Sequence, residues 1–180
     1  MNLTGGFYFL FDTLVNLYLY TVIARFVLQI VRADFYNPVS QFVVKATSPL
    51  LMPLRKIIPG FGGVDVACIV LLYLLVVVKG LLIGILFNQP QLLSPAVAIF
   101  AVIGCASLII NFFIFVIFIM VILSWLAMAG GYHPIADIVR QLAEPVLAPA
   151  RKIIPPIGMF DLTPMVVLLI LYFIKIVFRL

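Results

Sequence analysis

Apolar residues gather into four long stretches of this chain, over about 7–31, 66–87, 95–128 and 162–180. A helix crosses the hydrocarbon of a bilayer in about 20 residues, so each stretch predicts one span. The third is longer than needed and is expected to tilt or to run into the interface. Between spans two and three lies 88–94, "NQPQLLS", a short turn without charge. The other two connectors are much longer, and most of the charged residues sit there.

Each long connector carries its own helical pattern. Val39, Phe42, Val43, Ala46 and Leu50 fall on one side of a helix, with Gln41, Lys45 and Ser48 on the other. Ile135, Ile138, Val139, Leu142 and Val146 repeat the arrangement against Asp137, Arg140, Gln141 and Glu144. These patterns predict amphipathic helices over about 38–58 and 134–154, lying in the membrane interface or packed on the bundle by the same apolar faces. Pro49 and Pro145 are expected to interrupt them and to open a second short turn. Pro59 then stops that turn, and Gly62 and Gly158 let the chain bend. Asp65 and Asp161 stand just ahead of the next apolar run. A carboxylate there accepts from the free N–H groups of a helix's first turn, so both are predicted N-caps.

The two connectors are alike because the chain repeats. A shift of 96 residues lays Tyr36 on Tyr132, Pro38 on Pro134, Asp65 on Asp161 and Lys79 on Lys175 without a gap. It also lays one "RKIIP", beginning at Arg55, on another beginning at Arg151. Self-similarity at one period marks a duplication. The units are 1–87 and 95–180, joined by the outer turn 88–94. Each is a span, a connector and a return span that enter the membrane in the same sense, so the repeats are parallel. The expected fold is an all-α membrane protein. It has four transmembrane helices in two parallel repeats, each with an amphipathic interfacial helix in its connector.

Composition closes off other classes. With 66% hydrophobic and 9% charged residues and a mean hydropathy of +1.34, the chain is neither a soluble globule nor disordered. The net charge of +5 does not point to nucleic acid, because Lys and Arg flank apolar runs rather than forming a polar patch. Arg32, Lys45, Arg55 and Lys56 lie in the first long connector, and Arg140, Arg151 and Lys152 in the second. By the positive-inside rule both connectors face the cytoplasm and both termini face out. The first stretch lacks the basic leader and small-residue site of a cleaved signal and is expected to stay as a span. Cys68 and Cys105 then differ in depth and are not expected to bridge.

Two groups of charges are candidate functional residues. Arg55, Lys56, Arg151 and Lys152 are predicted to hold the head groups of anionic lipids. Alternatively, the two basic rims come together as one shared site for an anionic ligand or partner. Within the spans lie Asp12, Arg25, Lys79 and Lys175. A charge at mid-bilayer costs about 2.5–3.5 kcal/mol on insertion scales, which makes each a candidate. Arg25 and Lys175 are near span ends and can snorkel. Asp12 and Lys79 are predicted to pair between spans one and two. In the alternative, Lys79 reaches the outer head groups and Asp12 meets Asn16 one turn away. Asn16 and Asn111 can bond across helices.

No catalytic arrangement emerges. His133 is the sole histidine, and no thiol or carboxylate cluster supports it. The Gly-Gly pairs at Gly62–Gly63 and Gly130–Gly131 match no phosphate loop, and no metal-ligand spacing is present. Neither an enzyme nor a metal or cofactor is expected.

The stretches "NPVSQFVVKATSPLLMPLRKIIPGFGGVDVACIVLLYLL" and "EPVLAPARKIIPPIGMFDLTPMVVLLILY" resemble the doubled signature of the YggT family. These are small integral membrane proteins of bacteria, with relatives in cyanobacteria and plastids. The resemblance covers nearly the whole chain, as two copies of span, connector, "P-x-R-[RK]-x-I-P", Gly, Asp and span. The first copy has Cys68 where the second has Pro164. The resemblance implies a bacterial inner-membrane location and roles as diverse as cell division and nucleoid organisation, assembly of thylakoid haem proteins, and osmotic tolerance. Such roles suit a membrane organiser or assembly factor with membrane lipids and membrane proteins as partners. A small ion or osmolyte channel or carrier is the competing expectation, and self-association stays open.

Overall fold

The structure, a computed structural model, describes residues 3–60, 62–128, 135–154 and 161–180. Among them are six helices and no strand: α1 (Leu3–Ile30), α2 (Pro38–Ile57), α3 (Val66–Leu86), α4 (Val97–Met128), α5 (Ile135–Arg151) and α6 (Thr163–Phe178), with a 3-10 turn at Pro90–Leu93 between α3 and α4. Three of them, α1, α3 and α4, are long and apolar enough to cross a membrane. The fourth apolar helix, α6, has 16 residues and reaches about 24 Å at 1.5 Å per residue. His133, Gly130–Gly131 and Gly158 lie outside the described residues.

The same three contacts recur in each half. The connector helix α2 packs on α1 and α3, which pack on each other, and α5 packs likewise on α4 and α6. The halves join through α4, which touches α1 and α3, and through α5, which touches α1 and α2. Buried side chains concentrate at the connector end of this bundle. On α1 they run from Leu19 to Leu28, on α3 they include Ala67 to Leu72, and on α6 they are Thr163, Pro164 and Val167. Away from that end Phe7, Phe9, Leu10 and Leu14 are exposed. An apolar surface of that kind is stable against lipid tails and would be costly in water.

Close helix approach at the other end depends on glycine. A Cβ at Gly80 would lie 2.8 Å from Val97 Cγ2, and one at Gly84 would lie 2.8 Å from Leu93 Cδ2. The pair, four residues apart on α3, forms the small-residue stripe that lets membrane helices pack without a hydrophobic driving force.

The prolines do not interrupt the connector helices: α2 runs unbroken through Pro49 and Pro53, and α5 through Pro145 and Pro149. All four prolines are exposed. The carbonyl each one frees lies four residues earlier, on the same outer face, where it is not trapped in the core. Both helices continue across these positions with their buried faces intact.

Those faces match the predicted ones in part, at Val43 on α2 and at Ile138, Val139 and Leu142 on α5. On α2 the buried residues are Ser40, Val43, Thr47 and Leu51, while Phe42 is 66% exposed. On α5 they are Ile138, Val139, Leu142, Ala143 and Leu147, with Ile135 exposed. Small residues let each helix settle closely on its hairpin, and Thr47 satisfies its hydroxyl by donating to Val43 O at 2.7 Å. Large apolar side chains need not point inward where lipid can cover them.

Candidate functional site

The repeated "RKIIP" and its trailing aspartate meet in space. Arg55 Nε donates to Asp65 Oδ2 at 3.1 Å, and Arg151 Nε donates to Asp161 Oδ2 at 3.0 Å. The same two atoms are joined in both copies across the lip between connector helix and return helix. Arg55 adds a second contact from its Nη2 to the same carboxylate oxygen and a bond to Gln29 Oε1 at 3.3 Å. Arg151 Nη1 instead donates to Glu144 Oε2 at 3.1 Å. The neighbouring Lys56 and Lys152 are exposed. Each basic pair is therefore divided: the arginine clasps a carboxylate and the lysine faces out.

The aspartates use their other oxygen at the start of the return helix, in two ways. Asp65 is the N-cap of α3 and accepts from the amide of Cys68 at 3.3 Å. For α6 the cap position is Leu162, and Asp161, one residue earlier, accepts from the amide of Thr163 at 3.0 Å. The cause is Pro164, which stands where the first copy has Cys68 and has no N–H to give. Burial pushes the Asp161 carboxyl up, but the hydrogen bonds from Thr163 and Arg151 outweigh it and hold the group below its ordinary value.

Three of the four intramembrane candidates find polar partners, while Nη1 of the fourth, Arg25, is buried without one. Lys79 Nζ lies 2.7 Å from Asp12 Oδ1 and 2.7 Å from Asn16 Oδ1, and Asn16 Nδ2 donates to Asp12 Oδ2 at 2.8 Å. Both sequence alternatives for Asp12 thus hold at once, in a closed triad between α1 and α3. Lys175 donates to Asn111 Oδ1 at 2.8 Å, joining α6 to α4. Cys68 and Cys105 are free thiols.

The two rims do not merge into one basic site. Each builds its own cavity. Arg25, Gln29, Arg32, Ser40, Arg55 and Asp65 help line one of about 520 Å³, and Arg140, Arg151, Asp137 and Asp161 help line another of about 430 Å³. A polar cavity to which both halves contribute, about 460 Å³, has Asp34, Asp137 and Glu144 with Arg140 among its lining. Neither Arg55 and Lys56 nor Arg151 and Lys152 are in the lining of that cavity.

A family model described as CCB3/YggT matches the chain twice, over residues 4–86 and 93–180. The chain belongs to the YggT family. It carries the family's unit in two tandem copies, each with its own Arg–Asp clasp. It is 47% identical over 169 residues to an uncharacterized protein of Pseudomonas aeruginosa, covering 89% of this chain and 81% of the relative. It is 42% identical to one of Vibrio alginolyticus (92% and 89%) and 36% identical to the uncharacterized protein YggT of Escherichia coli (93% and 86%). No solved structure matches it.

Several residues of this YggT chain that shape the site carried no clear sequence signal. Asn37 caps α2 by accepting from Val39 N at 2.9 Å; the "NP" dipeptide before a helical run is the signal that could have found it. Ser40, Thr47 and the glycine pair on α3 act through close packing, which a hydropathy pattern does not register.

Proposed function

We propose that this YggT protein is a non-catalytic organiser or assembly factor of the bacterial inner membrane. In this reading α6 completes a set of four spans, the two repeats run parallel, and both termini lie outside the cytoplasm. The clasped connectors form a cytoplasmic collar. Its outward lysines, Lys56 and Lys152, hold anionic head groups, its outward apolar residues such as Phe42 and Ile57 enter the interface, and its surface recruits other membrane proteins. Roles in osmotic tolerance or cell division would follow from the partners recruited.

One observation carries this reading: away from the connector end, where Arg25 lines a cavity, the charged side chains inside the spans are spent on polar partners. Asp12, Asn16 and Lys79 bond across α1 and α3, and Lys175 bonds Asn111 across α6 and α4. A conducting path needs polar groups left facing a water-filled lumen. The polar cavities lie instead at the connector end of the bundle, between the ends of the spans and the connector helices. The competing channel or carrier draws its support from Lys79 and Lys175 at equivalent positions of the repeat.

Two experiments test the proposal. Purified protein in liposomes should give no selective ion or osmolyte flux, and a reproducible selective flux would favour the carrier. In a variant freed of native cysteines, Lys56→Cys and Lys152→Cys should both react with an impermeant thiol reagent from the cytoplasmic side only. Labelling from opposite sides would rule out parallel repeats.

A further inference from the structure

The cavities of the two repeats occupy equivalent places but differ in charge. The second sets Arg140 and Arg151 against Asp137 and Asp161. The first sets Arg25, Arg32 and Arg55 against one carboxylate, Asp65. Both oxygens of that carboxylate are in use, by Arg55 and by the Cys68 amide. Arg25 Nη1 and Ser40 Oγ are buried with no hydrogen-bond partner, and Ser40 is only 4% exposed. A buried polar atom left unpaired costs about 1–3 kcal/mol, more for a charged group. Both residues belong to the lining of the same cavity, where one acceptor could serve both.

Arg32 adds a backbone observation. It ends α1 with φ 52°, in a reversal where Ala33 N donates to Leu28 O at 3.0 Å. Glycine usually fills that left-handed position, because a side chain there costs about 1–2 kcal/mol. Here the place is held by a cation whose side chain lines the cavity. The second repeat has Val121, Met128 and Ala136 where the first has Arg25, Arg32 and Ser40. The first cavity thus holds three arginines and a serine, whereas the second holds two arginines, one of them, Arg140, in the place of Val44.

We propose that the first-repeat cavity binds a phosphate group, either on a free phosphate anion or on the head group of an anionic lipid. Planar guanidinium forks and a hydroxyl match the several acceptor oxygens of a phosphate, and the paired Arg55–Asp65 clasp fixes one wall. The site does not depend on the organiser reading, since a scaffold and a carrier could equally hold such a group.

The test uses the full-length protein, with Arg32→Met and Ser40→Ala as variants and the exposed Lys45→Gln as control. Both variants install residues that the second repeat already carries at the same place, so folding should survive even where Arg25→Gln fails. In detergent, binding of inorganic phosphate is followed by calorimetry and by the thermal midpoint at constant ionic strength. In nanodiscs, retention of phosphatidylglycerol over phosphatidylcholine is followed by native mass spectrometry. Phosphate binding that weakens about tenfold or more in the variants assigns a free anion. Selective lipid retention that the variants lose, without phosphate binding, assigns a head group. No binding in either arm, or binding that the variants leave unchanged, overturns the site.

Discussion

Asn111 Oδ1 lies 2.8 Å from Lys175 Nζ, although Asn111 stands one residue ahead of the position that matches Asn16 in the first repeat. The two halves therefore solve the same problem, a lysine inside an apolar helix, with asparagines out of register. They differ in charge as well. The first repeat adds Asp12, whose match in the second is the buried Leu108.

This difference predicts unequal mutational costs. Lys79→Met strands the Asp12 carboxylate, whereas Lys175→Met strands only a neutral amide, so Lys79→Met should lower the thermal midpoint in detergent more. Asp12→Asn combined with Lys79→Met should be less harmful than the two single losses summed, with a coupling of about 1 kcal/mol or more. Additive losses would show that the two residues do not act as a pair.

The two Arg–Asp clasps share a geometry but not an environment. Asp65 is 4% exposed and Asp161 36%. Arg55→Gln leaves a buried carboxylate unpaired and should cost about 3–5 kcal/mol. Arg151→Gln leaves solvated carboxylates and should cost about 1 kcal/mol or less. Equal losses in denaturant unfolding would mean that burial does not set the strength of the clasp.

Acid should act on the second lip through Asp161, whose folded pKa lies below its ordinary value. A carboxyl lowered on folding adds stability that is complete above its unfolded value, near about 3.9, and that is lost as pH falls through the folded value. Amide protection in the first turn of α6 should therefore fall below about pH 4. Asp161→Asn should flatten this dependence, and Arg151→Gln should move the loss to higher pH. An acid profile unchanged by Asp161→Asn would exclude Asp161 as its source.

Glycine should matter on α3 and not at the start of α1. A Cβ at Gly84 meets Leu93 Cδ2 at 2.8 Å and Gln89 O at 3.3 Å, whereas one at Gly6 meets nothing within 4 Å. Gly84→Val should destabilise by about 1–3 kcal/mol through overpacking. Gly6→Ala should be neutral or stabilising by up to about 1 kcal/mol through helix propensity. Thermal unfolding in detergent separates the two.

The helices were legible because their signals are local. A run of apolar residues as long as a bilayer is thick and a carboxylate ahead of a return helix act within a few residues of themselves. The duplication was legible for a similar reason, since matching residues a fixed distance apart need no fold to be recognised. Helix continuity through Pro49 and Pro145 was not, because it depends on which side of the helix those rings fall.

From the sequence came a membrane-embedded, duplicated, all-helical chain with a basic lip and an aspartate ahead of the return helix in each copy, since hydropathy and spacing are properties of the chain itself. Only the tertiary structure decided which charge meets which. Arg55 turned from an expected lipid contact to Asp65, Lys79 closed on both Asp12 and Asn16, and Ser40 went under while Phe42 came out. Each depends on how closely neighbouring helices approach and at what rotation. Small side chains and paired polar groups set those quantities, and along the chain they look no different from their neighbours.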